Sequence, residues 1–90
     1  MEFIHSANEI IMYNDNGSLV AEVTFPAMDA STVNINHTFV DDSLRGQGIA
    51  GKLMVEVAEV LRKENKKAKL SCSYARAWFP KHPEYQDVVL

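Results

Sequence analysis

The sequence predicts an α+β fold: a mixed, mostly antiparallel sheet with one long helix packed on it and a short helix near the C-terminus. Three observations point there. The N-terminal half holds short apolar runs separated by turn residues, the pattern of antiparallel strands. From Ile49 the apolar period becomes that of a helix. A further strand-like run follows, so strand, helix and strand form a crossover behind the antiparallel part.

The elements follow in order. Glu9-Ile10-Ile11-Met12-Tyr13 is a short apolar run, and Asn14-Asp15-Asn16-Gly17 is a strong turn signal. Leu19 to Phe25 reads as a second strand, so the two form a hairpin ended by Pro26. Thr32 to Val40 reads as one continuous third strand. Its alternation places Val33, Ile35, His37 and Phe39 on one face and Asn34, Asn36 and Thr38 on the other. In the long helix, Ile49, Leu53, Val57, Val60 and Leu61 line the apolar side, and Lys52, Glu56, Glu59, Arg62 and Lys63 line the polar side. Lys69 to Tyr74 reads as a fourth strand, with Leu70, Cys72 and Tyr74 sharing a face. Ala75 to Phe79 is a helical turn stopped by Pro80 and Pro83, and Glu84 to Leu90 is ambiguous.

A chain of 90 residues is expected to form one domain, residues 1–90, burying about two thirds of its unfolded surface. Hydrophobic content of 47% and charged content of 23% fit an ordinary globular protein. The net charge of −3 argues against a nucleic-acid binder, which would carry a basic face. The local run Lys66-Lys67-Ala68-Lys69 reads as the solvated end of a helix. One cysteine, Cys72, excludes an intramolecular disulfide and a cysteine-based zinc site. Met1 to His5 lacks a secretory pattern, and no stretch approaches the ~20 apolar residues of a membrane span. The expectation is a cytoplasmic protein with a free thiol and no membrane partner.

The segment Arg45-Gly46-Gln47-Gly48-Ile49-Ala50-Gly51 fits three phosphate-binding patterns at once. Gly46 to Gly51 matches G-x-G-x-x-G, and Gly46 to Lys52 matches the first seven positions of the P-loop. Arg45 to Ala50 matches R/Q-x-x-G-x-G/A. The physical logic is shared: glycines admit an anion close to the backbone, and free amides at a helix N-terminus donate to it. Context separates the patterns. Leu53 stands where a P-loop needs Ser or Thr for magnesium. The dinucleotide pattern needs a strand directly before its first glycine and an acidic residue near the end of the next strand. Here Asp41 to Arg45 intervenes, and the next strand offers Ser71, Cys72 and Ser73.

The third pattern holds in context. Val40 to Leu53 resembles the core motif of the GNAT N-acetyltransferases along its whole length, following a strand and opening an amphipathic helix. The chain looks like the minimal single-domain branch of that superfamily, with the resemblance covering roughly Leu19 to Phe79. It implies acetyl-CoA as cosubstrate, with the pyrophosphate held by the amides of Gln47, Gly48, Ile49, Ala50 and Gly51 and flanked by Arg45 and Lys52. It implies an amine acceptor, either a small molecule or a peptide.

Acetyl transfer to an amine needs a base, oxyanion donors and an acid for the leaving thiolate. Many GNAT enzymes place a glutamate on the strand before the glycine loop. Thr32 to Val40 carries no carboxylate and departs from that pattern. It carries His37, a competent base. The small branch resembled here sets a His on one strand and a Cys on the next, so Cys72 is either an acetyl-accepting nucleophile or a neighbouring acid or packing group. Tyr74 is a candidate donor, and Arg76 and Lys81 are candidate phosphate contacts. The rival reading is a non-catalytic acyl-CoA-binding or regulatory module, kept open by the missing carboxylate. Beyond that span, His82-Pro83-Glu84-Tyr85 resembles the C-terminal end of the same small branch and has no mechanistic role assigned.

Overall fold

The structure, a computed structural model, describes residues 2–90. Among the described residues, six strands and two α-helices occur in the order β1 (Phe3–Ser6), β2 (Glu9–Tyr13), β3 (Leu19–Thr24), β4 (Thr32–Ile35), β5 (His37–Val40), α1 (Ile49–Lys63), β6 (Lys67–Leu70) and α2 (Ser73–Trp78). Strands β1-β2-β3-β5 form one antiparallel sheet in that order, while β4 pairs in parallel with β6. The tail bridges β6 in parallel through Ala68 and Val89.

Turn chemistry sets the hairpins. Asn14 Oδ1 accepts the amides of Asn16 and Ser18 at 2.9 and 3.0 Å, and Gly17 takes a φ of 82° that other residues rarely adopt. The strand β1 extends this ribbon beyond the hairpin expected from the sequence. It turns at Asn8, whose φ is 62° and whose side chain donates to Phe25 O. His5 on β1 then reaches Glu56 of α1 at 2.8 Å, a partner invisible in the sequence.

Helix α1 ends in a Schellman motif. Asn65 is left-handed, Lys66 N–H donates to Leu61 O at 2.8 Å, and Asn65 N–H donates to Arg62 O at 3.3 Å. Its buried stripe is Ile49, Leu53, Met54, Val57, Ala58 and Leu61. That stripe packs on Ile10, Met12, Ala21 and Val23 of the sheet. Full burial of one such side chain is worth about 1.5–3 kcal/mol. Among the described residues, the opposite face of the four-stranded sheet carries no helix, and Ile4, Tyr13 and Phe39 are exposed there.

Three expectations need correction. The single strand Thr32 to Val40 is broken at Asn36. Asn36 N–H donates to Thr24 O at 3.2 Å while His37 is the register partner of Thr24, so two residues stand opposite one, as in a β-bulge. The fourth strand stops at Leu70, because Cys72 caps α2 and carries Tyr74 onto that helix. Lys67 and Lys69 lie on β6 and only Lys66 closes the helix end. The ambiguous tail forms a 3₁₀ segment, Pro83–Val88.

The segment His82 to Tyr85 proves to be a clasp. The His82 ring stacks on Trp78 with centroids 3.8 Å apart, and Tyr85 lies 5.9 Å from the same indole. Arg62 sits over Tyr85 at 5.0 Å and binds both carboxylate oxygens of Asp87 at 2.7 and 2.8 Å. This contact holds the guanidinium above its usual range and the Asp87 carboxyl below its own.

Candidate functional site

The break at Asn36 opens the site. Up to Ile35 the chain pairs with β6; beyond it, β5 turns to β3. Ser71 and Cys72 both donate their amides to Ile35 O at 3.0 Å, and past that point the two strands part. Among the described residues, the edge of β5 that faces the gap has no strand neighbour. Its amides and carbonyls are therefore available to an extended ligand.

The glycine loop leaves the end of β5. Asp41 caps a 3₁₀ turn, Asp42–Leu44, by accepting the Ser43 amide at 2.9 Å, and hydrogen bonds from Ser43 hold its carboxyl below the usual range. Buried Leu44 anchors the turn. Gly46 and Gly48 then take φ values of 83° and 69°, and a Cβ at either would meet nothing within 4 Å. These glycines serve backbone geometry rather than close packing. The first α1 hydrogen bond runs from Lys52 N–H to Gly48 O at 3.1 Å. Among the described residues no side chain caps the helix, so the amides of Ile49, Ala50 and Gly51 remain unfilled by intrahelical bonds. The Gln47 amide differs: it donates to Leu44 O at 3.2 Å.

A cleft of about 230 Å³ lies over this loop, between Val40, Gly46, Ile49 and Tyr74. Arg45 flanks it, extended into solvent and paired with Asp42 at 2.8 Å. Lys52 is exposed one turn along the helix. Gly51 has a second role. A Cβ there would stand 3.3 Å from Trp78 Nε1 and 3.7 Å from the Tyr74 hydroxyl, so α2 rests directly on the first turn of α1. Burial holds the Tyr74 phenol above its usual value, so it keeps its proton. A smaller cleft, about 100 Å³, continues past Tyr74 to Trp78 and Lys81. The larger cleft of about 260 Å³ lies at the far end of α1, beside His5 and Glu64, and contains none of the expected site residues.

Cys72 is half-buried at the N-cap of α2. Its sulfur accepts the Ala75 amide at 3.3 Å and contacts Thr38 Oγ1 at 3.4 Å. Negative charge on that sulfur would meet a fixed donor. His37 lies elsewhere. Thr38 is the register partner of buried Val23 and faces the helix side, so His37, one residue away, faces the open side. There its Nε2 is 3.5 Å from Glu22 Oε1. The structure thus brings the loop residues and Cys72 to one gap, with His37 across β5 from the sulfur. Two neighbours escaped the sequence reading, Thr38 and Glu22, because both depend on which strands pair.

The comparisons with known proteins bear on the family and the fold. The sequence profile described as GCN5-related N-acetyl-transferase matches residues 9–88. Protein NATD1 of Xenopus tropicalis is 32% identical over 63 residues, covering 70% of this chain. The chain spans 58% of that relative's length. The NMR structure of a GCN5-like protein from Staphylococcus aureus superposes with a TM-score of 0.82 at 38% identity, over 99% of this chain and 87% of that one. A GNAT family acetyltransferase from Elizabethkingia anophelis, solved with acetyl-CoA bound, shares the fold at a TM-score of 0.59 and 16% identity, over 83% and 52% of the chains. With the profile matching most of its length, the chain belongs to the GCN5-related N-acetyltransferase family.

Proposed function

We propose that the protein transfers an acetyl group from acetyl-CoA to an amine, with Cys72 as the acetyl-accepting nucleophile and His37 as the base at the acceptor. The observation that carries this reading is a glycine-turned helix N-terminus with unfilled amides beside a gap between strands. The pyrophosphate sits on the amides of Gly48, Ile49, Ala50 and Gly51, with Gln47 in the preceding turn and Arg45 and Lys52 supplying positive charge. Gln47 contributes its position rather than its amide, which is already engaged. The pantetheine arm runs along the free edge of β5, pairing its amides as an added strand would. Lys81, beyond Tyr74, is placed for a further phosphate.

The chemistry balances in two stages. The Cys72 sulfur attacks the thioester carbonyl, the bond from carbonyl carbon to coenzyme sulfur breaks, and the thiol proton ends on the departing thiolate, which Tyr74 also faces as a donor. The acceptor ammonium gives a proton to His37, and the free amine attacks acetyl-Cys72 and restores the thiol. A reducing cytoplasm would keep that thiol available between turnovers. The exposed sheet face leaves the acceptor side open, which suits a small polyamine or a peptide amine.

Intact-mass spectrometry after incubation with acetyl-CoA tests the covalent step. The expected result is one added acetyl group, absent in Cys72→Ala. An unmodified wild-type chain that still acetylates amines would refute the nucleophile and leave direct transfer. One specific observation favours the rival binding module: His37 and Cys72 lie on opposite sides of β5. Coenzyme binding without turnover over a broad amine panel would establish it.

A further inference from the structure

We infer that Glu22 is a positioning residue for His37, holding the imidazole at Nε2 so that Nδ1 receives the proton of the acceptor amine. The inference rests on the proposed role of His37 as base and deepens it. Residues 32–40 contain no carboxylate, but the sheet brings one from the neighbouring strand. His37 is the register partner of Thr24, and Glu22 lies two residues along β3, hence on the same face. The separation of 3.5 Å from Nε2 to Oε1 is within ion-pair range and longer than an ordinary hydrogen bond. The His37 side chain is 54% exposed and that of Glu22 is 23% exposed. The imidazole can therefore meet a substrate while its carboxylate partner stays largely covered.

The bulge at Asn36 creates this arrangement. Without the extra residue, the alternation of Val33 and Ile35 would carry His37 to the helix face, away from Glu22. Glu9 joins from β2, also as a register partner of Thr24. The Glu22 carboxyl is raised above its ordinary value, first by a hydrogen bond to Glu9, then by burial and by the charge of Glu9, while His37 pulls it down. Among the described residues, two uncharged groups adjoin this cluster: Ser6, whose hydroxyl is 3.5 Å from Glu9, and Thr24, whose hydroxyl donates to Asn36 at 2.6 Å.

The proton step is complete in itself. An N–H bond of the ammonium breaks, its electron pair stays on nitrogen, and an Nδ1–H bond forms on His37. The new positive charge faces Glu22, and the contact from Nε2–H to Oε1 tightens. His37 then releases the proton to solvent, and the second proton lost by the amine goes to the restored Cys72 sulfur.

The test compares wild type, Glu22→Gln, Glu22→Asp, His37→Gln and the Gln double variant, with spermidine and a lysine-containing peptide as probe acceptors. Glu22→Gln should lower kcat about tenfold, a fraction of the 10²–10⁴ typical of a general base, with KM for acetyl-CoA unchanged. Glu22→Asp should recover part of the loss, and the double variant should be no slower than His37→Gln. Full turnover in Glu22→Gln, or losses that multiply in the double variant, would overturn the inference while leaving His37 as base. Full turnover in His37→Gln would overturn the base assignment and the inference with it. A readout without acceptor is the ¹H–¹⁵N spectrum of the protonated imidazole. Its Nε2–H resonance should lie further downfield in wild type than in Glu22→Gln, and identical resonances would refute the coupling.

Discussion

Replacing Gly48 with alanine separates the backbone's role in the loop from every other effect of a side chain. Gly48 has φ of 69°, and an added Cβ would meet nothing within 4 Å. The substitution therefore introduces no clash and costs only the left-handed conformation, about 1–2 kcal/mol for a non-glycine residue. For a chain of 90 residues the unfolding entropy is roughly 2.1 cal/mol/K per residue, so the melting temperature should fall by roughly 5–10 °C. Gly17→Ala is the matched control, since Gly17 has φ of 82° in the β2–β3 turn and equally open space. Both variants should lose similar stability. Only Gly48→Ala should also lose coenzyme A affinity, by up to about tenfold, because 1.4 kcal/mol of loop strain can be relieved by turning the amides of residues 49–51 away. Scanning calorimetry and isothermal titration measure the two effects. Equal coenzyme affinity in both variants would refute the claim that these amides hold the pyrophosphate.

Two further outcomes follow from contacts already described. His82→Ala removes the ring stacked on Trp78 and should cost about 0.5–1.5 kcal/mol in urea unfolding while coenzyme affinity is retained; a loss of binding without a loss of stability would contradict the clasp. Glu22 has a carboxyl raised in the folded state, so its favourable contribution is present below the ordinary value of 4.5 and is lost as pH rises through the folded value. Glu22→Gln should therefore match wild type in stability near pH 4 and exceed it at pH 7, and the opposite order would contradict the coupling to Glu9.

What was legible in the sequence was local. Asn14 to Gly17 announces its turn because an asparagine side chain and a glycine φ make the hairpin by themselves. The anion loop was legible for the same reason: Gly46, Gly48 and the start of the apolar helical period lie within a few residues of one another. Features set by distant partners were not legible. The break at Asn36 exists because Ile35 pairs toward Leu70 while His37 pairs toward Thr24, and no local signal records that division. The sequence carries Tyr74 onto a strand because Cys72 is an unusual helix cap; the Ala75 amide on its sulfur marks the change. Strand β1 is short and largely exposed, so its alternation is weak. Glu22 reaches His37 only through the pairing of β3 with β5.

Isothermal titration with coenzyme A and, separately, with ATP tests the central assignment most directly. The loop geometry together with Leu53 in place of a magnesium ligand predicts saturable binding of coenzyme A and none of ATP. Binding of ATP with no response to coenzyme A would contradict it.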